Sequence, residues 1–449
     1  MSGIAEVLLT MGYQVSGSDL AAGETTRRLA RLGALIHVGA HDAGQVTEDI
    51  DVLVISSAVT FANPEVVRAR ELKIPVIPRA EMLAELMRMK TGVAVAGTHG
   101  KTTTTSLSAA VLREAGRDPT VVVGGKLRAL GTNARLGQGD LMVAEADESD
   151  GTFLLLSPVI AVVTNIDREH LDYYGDMERV RESYLQFIHR VPFYGLAVLC
   201  LDNVNVRALL PQVRKRFVTY GTAPDADWQV RDLRVEGLET VFEVWRGEER
   251  CGPVRLRMPG RHHALNALAA LAVAADLEIP FRIAAHALEE FGGIHRRFEV
   301  KGEEREILVV DDYGHHPEEI RATLRAAREG FQRRLVVVFQ PHRYSRTRDL
   351  FGEFLDAFDD ADVVVLTDIY AAGEERLEGV NGEALYQALK RRGHLDVRFL
   401  PSRDQLAEGL VDVVRPGDLV LTLGAGDVTR VGDEFLALVR AGAPVPQIH

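Results

Sequence analysis

A glycine-rich segment with one lysine and four consecutive threonines constrains the fold of this chain more than any other feature. It separates an apolar strand predicted over 93–96 from a helix predicted over 101–115, and it reads Gly97-Thr98-His99-Gly100-Lys101-Thr102-Thr103-Thr104-Thr105. In such a loop, glycines let backbone N–H groups approach phosphates, and the helix N-terminus contributes partial positive charge. The lysine reaches the β- and γ-phosphates, and a threonine hydroxyl binds Mg²⁺. The sequence therefore predicts a variant P-loop, with Val95 where the strict pattern has glycine. A plain glycine turn with a surface lysine is the alternative.

Two polar segments follow the next two predicted strands. An acidic run at 145–150 (EADESD) follows the strand over 141–144, and Asn165 and then His170 follow the strand over 159–164. Because parallel strands present their carboxyl ends at one edge of a sheet, we expect both segments to lie beside the P-loop. Mg²⁺ prefers hard oxygen ligands, so at least one carboxylate of the run should face that loop, and His170 is a candidate second metal ligand. A solvated acidic turn and a surface histidine are the alternatives.

Histidines, tyrosines and arginines cluster after two predicted strands in the last third of the chain. The segment 311–317 reads DDYGHHP, and the segment 340–346 reads QPHRYSR. Arginine pairs with carboxylates and phosphates through two hydrogen bonds, so these segments predict an anion site. Polar surface loops and a metal site are the alternatives. The candidate residues are Tyr313, His315, His316, His342, Arg343, Tyr344 and Arg346.

Two further segments are less specific. The segment 259–266 (PGRHHALN) precedes an alanine-rich helix, and Asn266 could pair with an adenine edge, although the segment alone is only a helix N-terminus. The turn 424–427 (GAGD) follows the last predicted strand, and a lone glycine turn of this kind gives little indication of function.

Length and composition limit the classes of protein to which the chain can belong. Its 449 residues predict two to four domains, and its 46% hydrophobic and 26% charged residues are typical of folded globular proteins. The net charge of −13 disfavours nucleic acid and anionic membrane surfaces as partners. We see neither an apolar run of about 18 residues nor a signal peptide, and the two cysteines form no paired motif. We therefore expect a cytoplasmic protein that does not bind membranes.

Helix-like and strand-like stretches alternate in three consecutive blocks, which predicts an α/β fold with parallel sheets. We place the blocks at 1–89, 90–297 and 298–449. The first block opens directly on a helix, whereas a mononucleotide-binding fold normally begins with a strand and a glycine-rich turn. We therefore expect that the first strand is missing and that the true start of the protein lies upstream.

Six motifs in order resemble those of the Mur ligases, and within that family those of the alanine-adding branch. They are the P-loop at 97–103, the acidic run at 145–150, and the segments 165–170, 260–266, 311–317 and 340–346. Other branches use a carbamylated lysine at the second metal, whereas this chain has no lysine between Lys126 and Lys215. The resemblance covers essentially the whole chain. It implies a UDP-sugar-binding Rossmann-like domain, a central P-loop ATPase domain, and a C-terminal Rossmann-like domain that closes over the amino acid.

The resemblance also implies an activity. An ATP- and Mg²⁺-dependent ligase would join L-alanine to the carboxylate of UDP-N-acetylmuramate, in the first peptide step of peptidoglycan synthesis. The carboxylate would attack the γ-phosphate to give an acyl phosphate, and the amine of L-alanine would then displace phosphate. We expect a monomer or a weak homodimer.

Roles for individual residues follow from the same resemblance. Lys101 would bind the β- and γ-phosphates within a loop formed by Gly97, Thr98, His99, Gly100, Lys101, Thr102 and Thr103. One Mg²⁺ would be held by Thr102 and Glu145, and a second by Glu145 and His170. His262 and Asn266 would contact adenine. Arg297 would reach the nucleotide phosphates, Asp312 would lie beside the ribose, and the anion-site residues of the last block would line the amino-acid and acyl-phosphate side.

One position departs from the family pattern, and three other functions are possible. His263 stands where the family usually has asparagine, which puts an amide hydrogen bond from that position in doubt. A related ligase that attaches a preformed tripeptide is the alternative within the family, although the chain length and the segment 340–346 favour a single amino acid. A P-loop regulatory ATPase without ligase activity is the alternative from another class. A dehydrogenase is disfavoured, because no complete GxGxxG precedes an acidic residue by about 20 positions.

Overall fold

Helices and mostly parallel strands alternate along the chain, which confirms the predicted α/β fold. The computed structural model describes residues 1–56, 58–127, 132–393 and 396–446. The backbone divides into two units, one of residues 1–231, 243–254 and 265–291, the other of residues 232–242, 255–264 and 292–449. Of the helices described, none combines the length and the apolar character that crossing a bilayer requires.

The first 90 residues contain two separate pairs of parallel strands. The elements are α1 (Ser2–Thr10), β1 (Ser16–Asp19), α2 (Glu24–Arg31), β2 (Leu35–Val38), β3 (Leu53–Ile55), α3 (Pro64–Glu71), β4 (Val76–Pro78) and α4 (Arg79–Arg88). Strand β1 pairs with β2, and β3 pairs with β4. The sequence predicts one parallel sheet here. Among the described residues no strand of one pair is hydrogen-bonded to a strand of the other, so this segment has two two-stranded sheets.

The central part of the chain builds a ten-stranded sheet with the order β14-β13-β12-β11-β10-β9-β5-β8-β6-β7. Its strands are β5 (Thr91–Ala96), β6 (Thr120–Leu127), β7 (Thr132–Arg135), β8 (Leu141–Glu145), β9 (Ile160–Val163), β10 (Leu196–Cys200), β11 (Phe217–Gly221), β12 (Trp228–Glu236), β13 (Glu239–Arg246) and β14 (Glu249–Leu256). The helices are α5 (Lys101–Glu114), α6 (Leu171–Tyr174), α7 (Met177–His189), α8 (Val204–Leu209), α9 (Arg261–Asp276) and α10 (Phe281–Glu289).

Strand β5 positions the glycine-rich loop. It lies between β8 and β9 and runs parallel to both. Residues 93–96 are fully buried, as expected for a strand of a parallel sheet that is covered on both faces. Val95 belongs to this buried strand, so the loop begins only at Gly97. Val95 therefore packs in the sheet, and the glycines of the loop are Gly97 and Gly100.

The last third of the chain forms a six-stranded sheet with the order β15-β16-β20-β17-β18-β19. Its elements are β15 (Glu299–Glu304), β16 (Ile307–Asp312), α11 (Pro317–Gly330), β17 (Leu335–Phe339), α12 (Tyr344–Asp349), α13 (Phe351–Phe354), β18 (Val363–Leu366), α14 (Gly382–Arg392), β19 (Val397–Phe399), α15 (Leu406–Val411), β20 (Leu419–Leu423) and α16 (Thr429–Arg440). All its neighbouring strands are parallel except β15 and β16. Strand β15 was not predicted, because its polar sequence EVKGEE lies at the edge of the sheet.

Candidate active site

The carboxyl ends of three neighbouring strands meet around the P-loop. Strands β8, β5 and β9 are adjacent and parallel, and they end at Glu145, Ala96 and Val163. The structure therefore brings the glycine-rich loop, the acidic run and the segment that begins at Thr164 to one edge of the sheet. This is the arrangement that the sequence predicts from parallel topology alone.

Two glycines of the loop occupy positions that no other residue would fit. Gly97 has φ +141°, and a Cβ there would overlap with Thr164 Oγ1. Gly100 has φ +81° and caps α5, and a Cβ there would lie 2.6 Å from Asn266 Oδ1. The Asn165 amide holds the loop from the next strand end, because its Oδ1 accepts from His99 N at 2.8 Å and its Nδ2 donates to His99 O at 2.9 Å. This role of Asn165 was not predicted from the sequence.

Lys101 is paired with a buried carboxylate. Its Nζ donates to Gly97 O at 2.5 Å, to Thr98 O at 3.2 Å and to Glu148 Oε1 at 2.9 Å. Burial alone would lower the pKa of Lys101, but the charges of Glu148 and Glu145 outweigh it and raise that pKa. Burial raises the pKa of Glu148 to about 7, although the Lys101 charge lowers it.

Glu148 is the main residue of this cluster that sequence reasoning did not select. Its side chain is 3% exposed, and its Oε2 has no hydrogen-bond partner among the described residues. A buried P-loop lysine needs a counter-charge, which indicates that a carboxylate of the acidic run pairs with it. The run has four carboxylates, and the sequence does not indicate which of them forms the pair.

Thr102 and Glu145 form the pair of hard oxygens expected of a metal site. Thr102 Oγ1 donates to Glu145 Oε2 at 2.9 Å. His170 lies close by, with Nε2 4.0 Å from Glu148 Oε1 and with a left-handed backbone at φ +56°. In the described residues no group of three or more Asp, Glu, His or Cys side chains is arranged to hold a metal ion. A metal here would therefore take further ligands from phosphate and water, as Mg²⁺ commonly does.

Other loop residues have structural contacts. Thr98 Oγ1 accepts from Asp167 N at 2.9 Å, and the side chain of Thr103 is buried on the inner side of α5. Burial would raise the pKa of Asp147, but the Lys101 charge and hydrogen bonds from Ser149 outweigh it and lower that pKa.

Helix α9 carries the residues expected to contact adenine. Asn266 is buried, and its Oδ1 accepts from Thr104 Oγ1 at 3.2 Å. Burial and then the Arg297 charge lower the pKa of His262 to about 4, so its ring is neutral at pH 7. Burial, followed by repulsion from His262 and Arg297, holds the pKa of His263 far below its ordinary value. Within the described residues neither ring nitrogen of His263 has a hydrogen-bond partner.

Arg297 and Asp312 lie together in the second unit. Arg297 Nη1 is 3.7 Å from Glu319 Oε1, and its guanidinium lies 5.3 Å from the ring centre of Tyr313. Asp312 accepts backbone hydrogen bonds from Phe298 N and Gly314 N, both at 2.8 Å. Burial raises the pKa of Asp312 to about 6, although the Arg297 charge lowers it.

The two histidine-rich segments meet at the ends of β16 and β17. The rings of His315 and His342 lie 5.7 Å apart, and Arg346 Nη1 is 3.2 Å from His342 Nδ1. Arg343 has a left-handed backbone at φ +70°, a strain of the kind that clusters at functional sites. His315 Nδ1 lies 3.0 Å from Tyr313 O.

Two members of this set have structural positions. His316 is buried and caps α11, where its Nδ1 accepts from Glu318 N at 3.3 Å. Tyr344 is buried at the start of α12.

Two residues near this set were not predicted from the sequence. The ring of Tyr370 stacks on His342 at 5.7 Å, and Glu374 accepts hydrogen bonds from Ser345 N and Oγ. Both follow β18, so the same strand-end argument could have found them.

Comparisons with known proteins agree on one family. Residues 1–91 match the model of the Mur ligase family catalytic domain, residues 95–274 the Mur ligase middle domain, and residues 296–426 the Mur ligase glutamate ligase domain. A UDP-N-acetylmuramate–L-alanine ligase of Pelobacter propionicus is 57% identical over 441 residues, which cover 98% of this chain and 95% of the relative.

Solved structures give the same result. The crystal structure of the UDP-N-acetylmuramate-alanine ligase MurC from Thermotoga maritima is 32% identical, with a TM-score of 0.81 over 98% of this chain and 96% of that chain. A murein peptide ligase from Psychrobacter arcticus shares the fold at 22% identity, with a TM-score of 0.68 over 97% of this chain and 96% of that chain.

Proposed function

The chain belongs to the Mur ligase family, and we propose that it joins L-alanine to the carboxylate of UDP-N-acetylmuramate with ATP as the phosphoryl donor. This is the first peptide step of peptidoglycan synthesis. One observation carries the proposal, namely the high identity to a ligase of that specificity over nearly the whole chain. The cluster at the three strand ends supports it, because phosphoryl transfer needs a phosphate loop beside metal-binding oxygens.

The reaction makes a carboxylate into an electrophile. A carboxylate oxygen of the muramoyl group attacks the γ-phosphorus of ATP, the bond to ADP breaks, and an acyl phosphate forms. The amine of L-alanine then attacks the acyl carbon, inorganic phosphate leaves, and the nitrogen gives up a proton. The protein contributes positioning and charge neutralisation, which are the main requirements of phosphoryl transfer.

The residues of the P-loop fit a nucleoside triphosphate. Glycine at 97 and 100 lets the loop pack against Thr164 and Asn266, which a Cβ would displace. The backbone N–H groups at the start of α5 have no partner within the helix, and such groups bind phosphates. Lys101 can exchange the Glu148 carboxylate for a phosphate oxygen. The N–H groups at the start of α5 would therefore bind the phosphates, and Lys101 would neutralise part of their charge.

The donor set also fits Mg²⁺. Thr102 Oγ1 and Glu145 Oε2 are hard oxygen ligands, and their hydrogen bond would give way to the ion. Mg²⁺ held there would neutralise charge on the phosphates. His170 as a ligand of a second Mg²⁺ is part of this proposal.

The second unit carries the remaining proposed contacts. His262 would contact adenine together with Asn266, Arg297 would neutralise phosphate charge, and Asp312 would bind the ribose. His315, His342 and the arginines at 343 and 346 would hold the amino acid and the acyl phosphate. The neutral state of His262 supports its assignment to an uncharged base.

Domain limits and cellular context are also proposals. We infer domains at 1–89, 90–297 and 298–449, which the residues matched by the three family models support. We place the protein in the cytoplasm, where ATP and UDP-sugars are made, and expect a monomer or a weak homodimer.

Phosphate release in the presence of ATP, Mg²⁺ and UDP-N-acetylmuramate tests the function. We expect release to depend on both the UDP-sugar and L-alanine, and the product mass to equal the sum of these two substrates minus water. Parallel reactions with glycine, L-serine and a stem tripeptide measure selectivity. Preference for the tripeptide would identify the chain as the related ligase that attaches a preformed tripeptide. Phosphate release at a rate independent of L-alanine would indicate a regulatory ATPase instead.

A further inference from the structure

Three neighbours restrain the ring of His342. The ring of His315 lies 5.7 Å away at an interplanar angle of 61°, and the ring of Tyr370 lies 5.7 Å away and nearly parallel, at 8°. Arg346 Nη1 lies 3.2 Å from His342 Nδ1. Each contact restricts rotation of the imidazole, so its orientation is set by residues from three different loops or helices.

The contact with Arg346 determines which nitrogen of His342 carries hydrogen. A guanidinium can only donate, so Nδ1 accepts and the neutral imidazole carries its hydrogen on Nε2. Burial, followed by the charges of His315, Arg346 and Arg343, lowers the pKa of His342 to about 3. The ring is therefore a donor through Nε2 near pH 7, and its lone pair is engaged by Arg346.

Backbone hydrogen bonds hold Tyr370 beside this ring. Tyr370 N donates to Pro341 O, and Arg343 N donates to Tyr370 O, both at 2.9 Å, so that a short parallel bridge flanks His342. At Gly426 a Cβ would overlap with Gln340 Oε1 and would lie 2.8 Å from Tyr370 Cγ. Glycine at 426 thus leaves the space that the Gln340 amide and the Tyr370 ring need, which gives a physical reason for the second glycine of the turn after β20.

We propose that Tyr370 is a positioning residue of the amino-acid site, which orients His342 so that its Nε2–H donates to an anionic oxygen of the amino acid or the acyl phosphate. This inference rests on the proposed function. Tyr370 acts through His342. Because its aromatic ring makes the contact with His342, the ring and not the hydroxyl group is required for this role.

Steady-state kinetics of three variants test the proposal. An aromatic stack of this kind contributes about 0.5–1.5 kcal/mol. We therefore expect Tyr370→Ala to raise the KM for L-alanine about 2- to 12-fold and to leave the KM for ATP within about twofold. Tyr370→Phe keeps the ring and should restore the KM for L-alanine. Tyr386→Ala is the matched control, because it removes a tyrosine ring of α14 that stacks on Phe399 of β19 and not on a histidine.

The ¹⁵N chemical shifts of histidine-labelled protein give a second readout that does not depend on turnover. We expect wild type and Tyr370→Phe to show His342, assigned with His342→Gln, as a fixed Nε2–H tautomer. Tyr370→Ala should show a mixture of tautomers, because an imidazole that Tyr370 no longer orients loses its fixed hydrogen bond from Arg346. A fixed tautomer in Tyr370→Ala, or equal effects of that variant on both KM values, would overturn the positioning role. Wild type that lacks L-alanine-dependent phosphate release would instead reject the proposed function, and the shifts would still decide the role of Tyr370.

Discussion

Replacing Lys101 with alanine removes the partner of a buried carboxylate, so we expect it to lower stability as well as turnover. The side chains of Lys101 and Glu148 are only 14% and 3% exposed, and their charged atoms lie 2.9 Å apart. Removing one partner of a buried pair costs about 3–5 kcal/mol, because the other charge is left uncompensated. Lys101 keeps some contact with solvent, so the lower limit of that range applies at pH 8.5.

The cost depends on pH, because Glu148 can take up a proton. Burial raises its pKa from 4.5 to about 7 even beside Lys101, which lowers it, and loss of Lys101 raises it further. A carboxyl whose pKa is higher in the folded protein stabilises the fold fully below pH 4.5, and this contribution is lost as the pH rises through about 7. The destabilisation by Lys101→Ala should therefore be small at pH 5.5 and several-fold larger at pH 8.5.

Urea unfolding at these two pH values measures the effect. The set comprises wild type, Lys101→Ala, Glu148→Gln and the double variant. The double variant should regain most of the free energy of unfolding at pH 8.5, because neither charge of the buried pair remains. It should stay inactive in phosphate release, because the proposed phosphate contact of Lys101 is still missing. Equal destabilisation of Lys101→Ala at both pH values, or recovered turnover in the double variant, would refute this reasoning.

Three further perturbations test other parts of the site. Glu145→Gln should raise the Mg²⁺ concentration for half-maximal activity at least about 10-fold, in a titration that leaves the KM for the UDP-sugar unchanged. Gly97→Ala should abolish ADP binding in calorimetry and lower the free energy of unfolding by about 2 kcal/mol or more, since its Cβ would overlap with Thr164 Oγ1. Gly116→Ala, at φ +73° with open space around it, should cost only about 1 kcal/mol. Burial raises the pKa of Asp312 to about 6, so kcat/KM for ATP should fall as the pH drops below 6, and Asp312→Asn should remove this fall. An unchanged acid limb in that variant would exclude Asp312 as the titrating group.

The position of the P-loop site follows from local sequence patterns. Apolar runs predict the buried strands, and parallel topology requires that their carboxyl ends share one edge of the sheet. The predictions of a glycine loop, an acidic run and a histidine at that edge use only the apolar runs and the parallel direction of the strands, whereas the structure shows that β8, β5 and β9 are neighbours. For the same reason the last sheet was predicted except for β15, whose polar residues carry no strand signal at an edge.

The partners of individual side chains follow only from the tertiary structure. Four carboxylates in the acidic run could have faced the P-loop, and the fold selects Glu145 for Thr102 and Glu148 for Lys101. Likewise, no pattern in the segment 340–346 indicates that Tyr370 covers His342. The N-terminal strands show the same limit, since their sequence predicts one sheet and their pairing produces two. Local sequence sets backbone direction and burial, whereas contacts between residues far apart in the chain depend on how the elements pack.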